Sequence, residues 1–137
     1  MDEQFVIVTK KGKDITEIKE GDGKYIIQQS SGLNTEGFTI KKANGKCLKF
    51  SFFKINGTYF LSLNDDHICD YKKFTHIEKI TCDPTNENDV LIKNTILGEF
   101  RLKNCDVDIV KKSMKVMHEY MKPRRNIFKE FFEFLLT

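Results

Sequence analysis

The dipeptide Asn56-Gly57, inside "CLKFSFFKINGTYFLSL" (47–63), constrains this chain more than any other stretch. A type I′ hairpin turn needs positive φ at both central positions, which asparagine and glycine tolerate best. Closure by these two residues pairs Phe52 with Leu61 and Phe50 with Leu63 on one face. Phe53 and Phe60 then meet on the opposite face, so that face is expected to be partly covered too. The preceding Asn44-Gly45 cannot close in the same way. A two-residue loop would set Thr39 opposite Phe50 and mix polar with apolar side chains on one face. A three-residue loop, Ala43-Asn44-Gly45 with Gly45 left-handed, pairs Ile40 with Leu48 and Phe38 with Phe50 instead.

Further strands are expected on either side of this hairpin pair. Upstream they are "FVIVT" (5–9), "DITEIK" (14–19) and "KYIIQQ" (24–29), with a turn at Gly21-Asp22-Gly23. Downstream they are "HICDY" (67–71), "FTHIEKITC" (74–82), "VLIKN" (90–94) and "GEFRLKN" (98–104), with "DPTNEND" (83–89) as a loop. After residue 105 the period changes. Val107, Val110, Met114, Met117 and Met121 recur at helical spacing, which predicts an amphipathic helix over about residues 106–122. Asp106 is placed to cap its start, and Pro123 ends it by driving the preceding residue out of the α region. Asn126 then opens a shorter, second helix. The expected fold is mainly β: an antiparallel β-barrel or sandwich of about seven to nine strands, closed by the amphipathic helix and followed by a short apolar helix. Residues 1–122 read as the β domain with its helix. Residues 123–137 are an appendix, either part of the same fold or an interaction segment.

This order, antiparallel strands and then one amphipathic helix near the end, resembles the pleckstrin-homology-like superfamily. Phe100 and Leu102 in the last strand and the stripe Val107, Val110, Met114, Met117, Met121 carry the likeness, over roughly residues 37–121. The resemblance implies a bent sheet with the C-terminal helix closing one open end. The chain departs from the family in lacking tryptophan. In the first hairpin, Lys10, Lys11 and Lys13 are followed by Glu17 and Glu20 and by no arginine.

Composition narrows the class of function. At 137 residues, 39% hydrophobic and 31% charged, the chain suits one ordinary folded domain. No apolar run approaches the roughly 18 residues needed to span a bilayer. The start, Met-Asp-Glu-Gln, shows neither a secretory pattern nor the Met-Gly of myristoylation, so a cytoplasmic chain is expected. Cys47, Cys69, Cys82 and Cys105 lie 22, 13 and 23 residues apart, and His67, His76 and His118 add no ligand spacing. No metal site and no cofactor is therefore expected, because zinc needs close-spaced ligand pairs. "NDDHICD" (64–70) gathers Asp65, Asp66, His67, Cys69 and Asp70, types that serve acid–base or metal chemistry. Nothing beside them supplies an oxyanion hole, so the stretch reads as a polar hairpin tip. No catalytic residue is assigned, and no enzyme is expected.

Binding is the remaining class, and two segments offer it. The tail "NIFKEFFEFLLT" (126–137) is apolar round most of a helix, broken only by Lys129, Glu130 and Glu133. An apolar face of this kind must be covered. It either completes the core, docks on another protein or a second copy, or meets a membrane; protein contact through Ile127, Phe128, Phe131, Phe132 and Leu135 is the specific expectation. The second segment is basic. Residues 106–125 hold six basic residues against three acidic ones, which accounts for the whole net charge of +3. Lys111, Lys115 and Lys122, with Arg124 and Arg125 beyond, could meet anionic lipid headgroups. The opposing reading is a solvated face with local pairs such as Asp108–Lys112. Nucleic acid is not expected, because the basic balance is modest and aromatic residues are not interleaved with it.

Overall fold

A computed structural model of the chain describes residues 15–19, 25–32 and 35–121. Six strands form one antiparallel sheet in sequence order: β1 (Ile15–Lys19), β2 (Tyr25–Gly32), β3 (Thr35–Lys42), β4 (Cys47–Ile55), β5 (Thr58–Leu63) and β6 (His67–Asp70). A short helix, α1 (Tyr71–Phe74), leads to a second antiparallel sheet of β7 (Ile77–Asp83), β8 (Asn86–Asn94) and β9 (Gly98–Leu102). Helix α2 (Val107–Met121) follows. The strand expected at 5–9, the turn at 21–23 and the whole tail lie outside the described residues.

Both asparagine-glycine turns form as their flanks require. Asn56 and Gly57 have φ of +50° and +81°, and Phe50, Phe52 and Phe53 face Leu63, Leu61 and Phe60. Gly45 has φ of +88°; its N–H donates to the Lys42 carbonyl, and Phe38 and Ile40 face Phe50 and Leu48. The inward rows Tyr25 and Ile27, Phe38 and Ile40, Leu48, Phe50 and Phe52, and Leu61 and Leu63 are buried together. Val90, Ile92 and Leu102 of the second sheet join the same core, as do Ile109, Val110, Val116 and Met117 of α2. Phe38 and Phe50 stack at 5.4 Å, and Phe50 meets Phe52 edge-on at 6.0 Å.

The helix is seated slightly differently from the expected stripe. Val110 and Met117 are buried, but Val107, Met114 and Met121 are only half-buried. The most buried line runs through Ile109, Ser113 and Val116, and Lys112 is buried beside it. Two polar residues are accommodated there by local chemistry. Ser113 donates its hydroxyl to the Ile109 carbonyl at 2.7 Å, and the Lys112 ammonium lies 5.1 Å from the Tyr25 ring centroid. Asp106 caps the helix, accepting from the Ile109 N–H at 2.8 Å.

Three expectations fail locally. The strand expected over 74–82 begins only at Ile77, and the one over 67–71 ends at Asp70. Asp70 accepts from the Lys72 N–H at 2.8 Å and so starts a helical turn that buries Phe74. Asn94 then locks that turn in place. Its Nδ2 donates to the carbonyls of Lys73 (3.0 Å) and Phe74 (3.1 Å), while its Oδ1 accepts from the N–H groups of Ile96 and Leu97, both at 2.9 Å. The loop expected at 83–89 is instead a tight hairpin, with Asp83 opposite Asn86. Asp83 makes the turn by accepting from the Thr85 N–H (2.9 Å) and hydroxyl (2.8 Å). The Arg101 guanidinium approaches Asp83 Oδ2 to 2.8 Å, off the hydrogen-bonding direction, and therefore acts as an ion pair.

The core predicts that Phe50→Ala costs about 3–5 kcal/mol, because the ring is fully buried and its neighbours cannot close the gap. Urea unfolding monitored by circular dichroism measures it, with exposed Ile68→Ala close to neutral. Hydrogen bonds from the Thr85 backbone and hydroxyl hold the Asp83 carboxyl below the ordinary aspartate range, with Arg101 adding to them against the effect of burial. A carboxyl with a lowered folded value stabilises above its unfolded value and loses that contribution as pH falls through the folded one. Asp83→Asn is therefore expected to lower stability at neutral pH and to reduce the loss below about pH 4, read from melting curves across an acid series.

Candidate functional site

Several residues of "NDDHICD" serve the fold. Asn64 and Asp65 turn the chain with φ of +51° and +59°, and Asp65 pairs with Lys49 at 3.4 Å. His67 Nε2 donates to the Arg101 carbonyl at 3.1 Å, and its ring lies 5.2 Å from that of Phe100. Burial pushes the Cys69 thiol up to about 11, assisted by the Asp70 charge, so it is a poor nucleophile at neutral pH. Asp70 caps α1.

Of the basic residues expected on one face of α2, only the first part falls among the described residues. Lys111 and Lys115 are exposed on α2, as is His118. Lys112, their neighbour, is buried over Tyr25. Asp108 reaches Lys42 at 3.3 Å, and Asp106 reaches the same ammonium at 2.8 Å. Lys42 thus ties the end of β3 to the start of α2. Lys122, Arg124 and Arg125 lie outside the described residues, as do Ile127, Phe128, Phe131, Phe132 and Leu135.

A groove of about 420 Å³ opens beside Tyr120 of α2. Phe52, Phe53, Tyr59 and Tyr120 supply its aromatic lining, and Glu36 and Lys54 contribute opposite charges. Its position follows from strand alternation. Phe52 continues the inward row of Leu48 and Phe50, Glu36 continues that of Phe38 and Ile40, and Tyr59 continues that of Leu61 and Leu63. Tyr120 of α2 lies against these rows. That ring stacks on Phe52 at 4.8 Å and meets Phe38 edge-on at 5.6 Å. The Lys54 ammonium lies 5.1 Å from the Tyr59 ring centroid.

The exposed lining is more polar than apolar, because Thr35, Glu36 and Lys54 stand beside the rings. Sequence reading paired Phe53 with Phe60 but missed Tyr120. The signal was present: Tyr120 follows Ser113, Val116 and Met117 at helical spacing, so it extends the buried line rather than the methionine stripe. Among the described residues, no helix is long and apolar enough to cross a membrane. Comparisons with protein-family models, with curated proteins and with solved structures find no match to this chain.

Proposed function

We propose that this chain is a non-catalytic binding module that acts by protein–protein contact, with a second copy of itself as the first partner. The observation that carries this reading is the aromatic groove beside Tyr120, one residue before α2 ends. In sequence the apolar segment 126–137 begins five residues beyond Met121, the last residue of α2. Its charges also complement the groove: Lys129 against Glu36, and Glu130 or Glu133 against Lys54. Two copies exchanging Ile127, Phe128, Phe131, Phe132 and Leu135 would form an isologous, closed interface.

The order of elements supports a pleckstrin-homology-like arrangement for this module, a strand meander, a three-stranded sheet and a C-terminal helix on the shared core. His67, on the edge strand of the first sheet, bonds the backbone of β9 in the second, which supports closure of the two sheets into a barrel or sandwich. Four free cysteines, one of them exposed, favour a reducing compartment such as the cytoplasm.

Sedimentation equilibrium of the intact chain is expected to show its mass rising towards twice that of the monomer as concentration increases. Phe131→Glu, Phe132→Glu and the groove variant Tyr59→Glu should each return it to monomer without loss of β circular dichroism. A monomer at every concentration up to several hundred micromolar contradicts self-association.

A further inference from the structure

The β8–β9 turn carries apolar side chains at its centre. Tight turns favour glycine, asparagine, aspartate, serine and proline, and this one opens on Asn94 and closes on Gly98, at φ +84°, yet between them stand Ile96 and Leu97. Neither apolar side chain serves the core: Ile96 is 52% exposed and Leu97 37%. They are nonetheless held firmly. Asn94, itself buried, bonds both of their N–H groups and, through its amide, the last carbonyls of α1. Thr95 adds a backbone bond to the His76 carbonyl at 3.0 Å. The turn and α1 are therefore one unit, and α1 brings Lys72 and Lys73, both exposed and neither ion-paired among the described residues.

Three carboxylates lie near these lysines and keep their charge; counted with Lys93 and Lys54, this end sets four lysines against three carboxylates. Asp70 is committed to the Lys72 N–H, Glu78 lies 3.9 Å from Lys93, and Glu99 sits opposite Lys93 in the β8–β9 ladder. The β4–β5 turn lies at the same end of the molecule, because Asp70 pairs with Phe60, two residues in from that turn. It adds a third exposed apolar side chain, Ile55, next to Lys54.

We propose that this end docks on an anionic lipid surface, with Ile96 and Leu97 entering the headgroup region and Lys72 and Lys73 meeting lipid phosphates and carboxylates. Two side chains on a protruding turn bury far less than the roughly 800 Å² per partner of a stable protein interface. They suit shallow insertion, in which lysine stems cover apolar surface while their ammoniums stay at headgroup level. This surface adjoins the aromatic groove at Lys54, and lipid contact goes beyond the protein contact proposed there.

The test is cosedimentation of the intact chain with phosphatidylcholine vesicles, with and without phosphatidylserine. Binding is expected only to the anionic vesicles and should weaken with added salt. The double variants Ile96→Glu with Leu97→Glu, and Lys72→Glu with Lys73→Glu, should each reduce partitioning by about tenfold or more. Ile68→Glu, at an exposed apolar site on β6, should leave it unchanged, with melting curves confirming the fold of each variant. Absence of binding to phosphatidylserine vesicles overturns the proposal. So does undiminished binding of the Ile96/Leu97 variant, which would move lipid contact elsewhere on the chain. If vesicles are ignored and the same variants alter the sedimentation mass, the turn is a protein contact and the lipid assignment is wrong.

Discussion

The structure depends on how one face of the six-stranded meander is covered. Phe38, Phe50 and Phe52 form a ladder of rings across β3 and β4, and α2 is the cover laid over it. Burying rings of this size supplies the largest apolar contribution available to a chain without tryptophan. The helix is aligned from its start. Asp106 caps it and, with Asp108, holds Lys42 of β3, while Tyr120 in its last turn comes to rest on Phe52. Beside that stacked pair lies the groove, lined by Glu36, Phe52, Phe53, Lys54, Tyr59 and Tyr120.

The two ends of the molecule consequently differ in chemistry. Around the β3–β4 turn, polar groups are satisfied by one another. Lys42 meets two aspartates, Arg101 meets Asp83 and Asp89, Asn104 bonds Gly45, and Lys46 bonds Glu87. That end holds the sheets and the helix together. The opposite end carries the aromatic groove, the exposed side chains Ile55, Ile96 and Leu97, and lysines without ion-pair partners among the described residues. Surface left apolar at a turn that could have been polar is more economically explained by contact than by folding.

What could be read in advance tracks the range of the interaction involved. Both asparagine-glycine registers were legible because turn type, loop length and strand facing are coupled within a few residues. The cap at Asp106 was legible for the same reason. The α1 turn was not, since its lock is Asn94, some 20 residues further along the chain. Asp83 hid a hairpin inside a stretch whose composition reads as loop, because an Asx turn and a loop draw on the same residues. The seat of α2 was misjudged where Lys112 and Ser113, polar by type, turned out to be buried; one found an aromatic face and the other a backbone carbonyl. The groove needed Tyr120 and Phe52 brought together from distant elements. The tail and the basic residues beyond Met121, on which much of the functional expectation rested, lie outside the described residues.

The central claim is that the groove-bearing end is the binding end. Amide hydrogen exchange on the intact chain, at low and at high protein concentration, addresses it most directly. The account predicts concentration-dependent protection in the first residues of β3, in Thr58–Phe60 of β5 and in residues 126–137, with the β3–β4 turn unchanged. Exchange that is independent of concentration, or new protection around Lys42, Lys46 and Asn104, would contradict it.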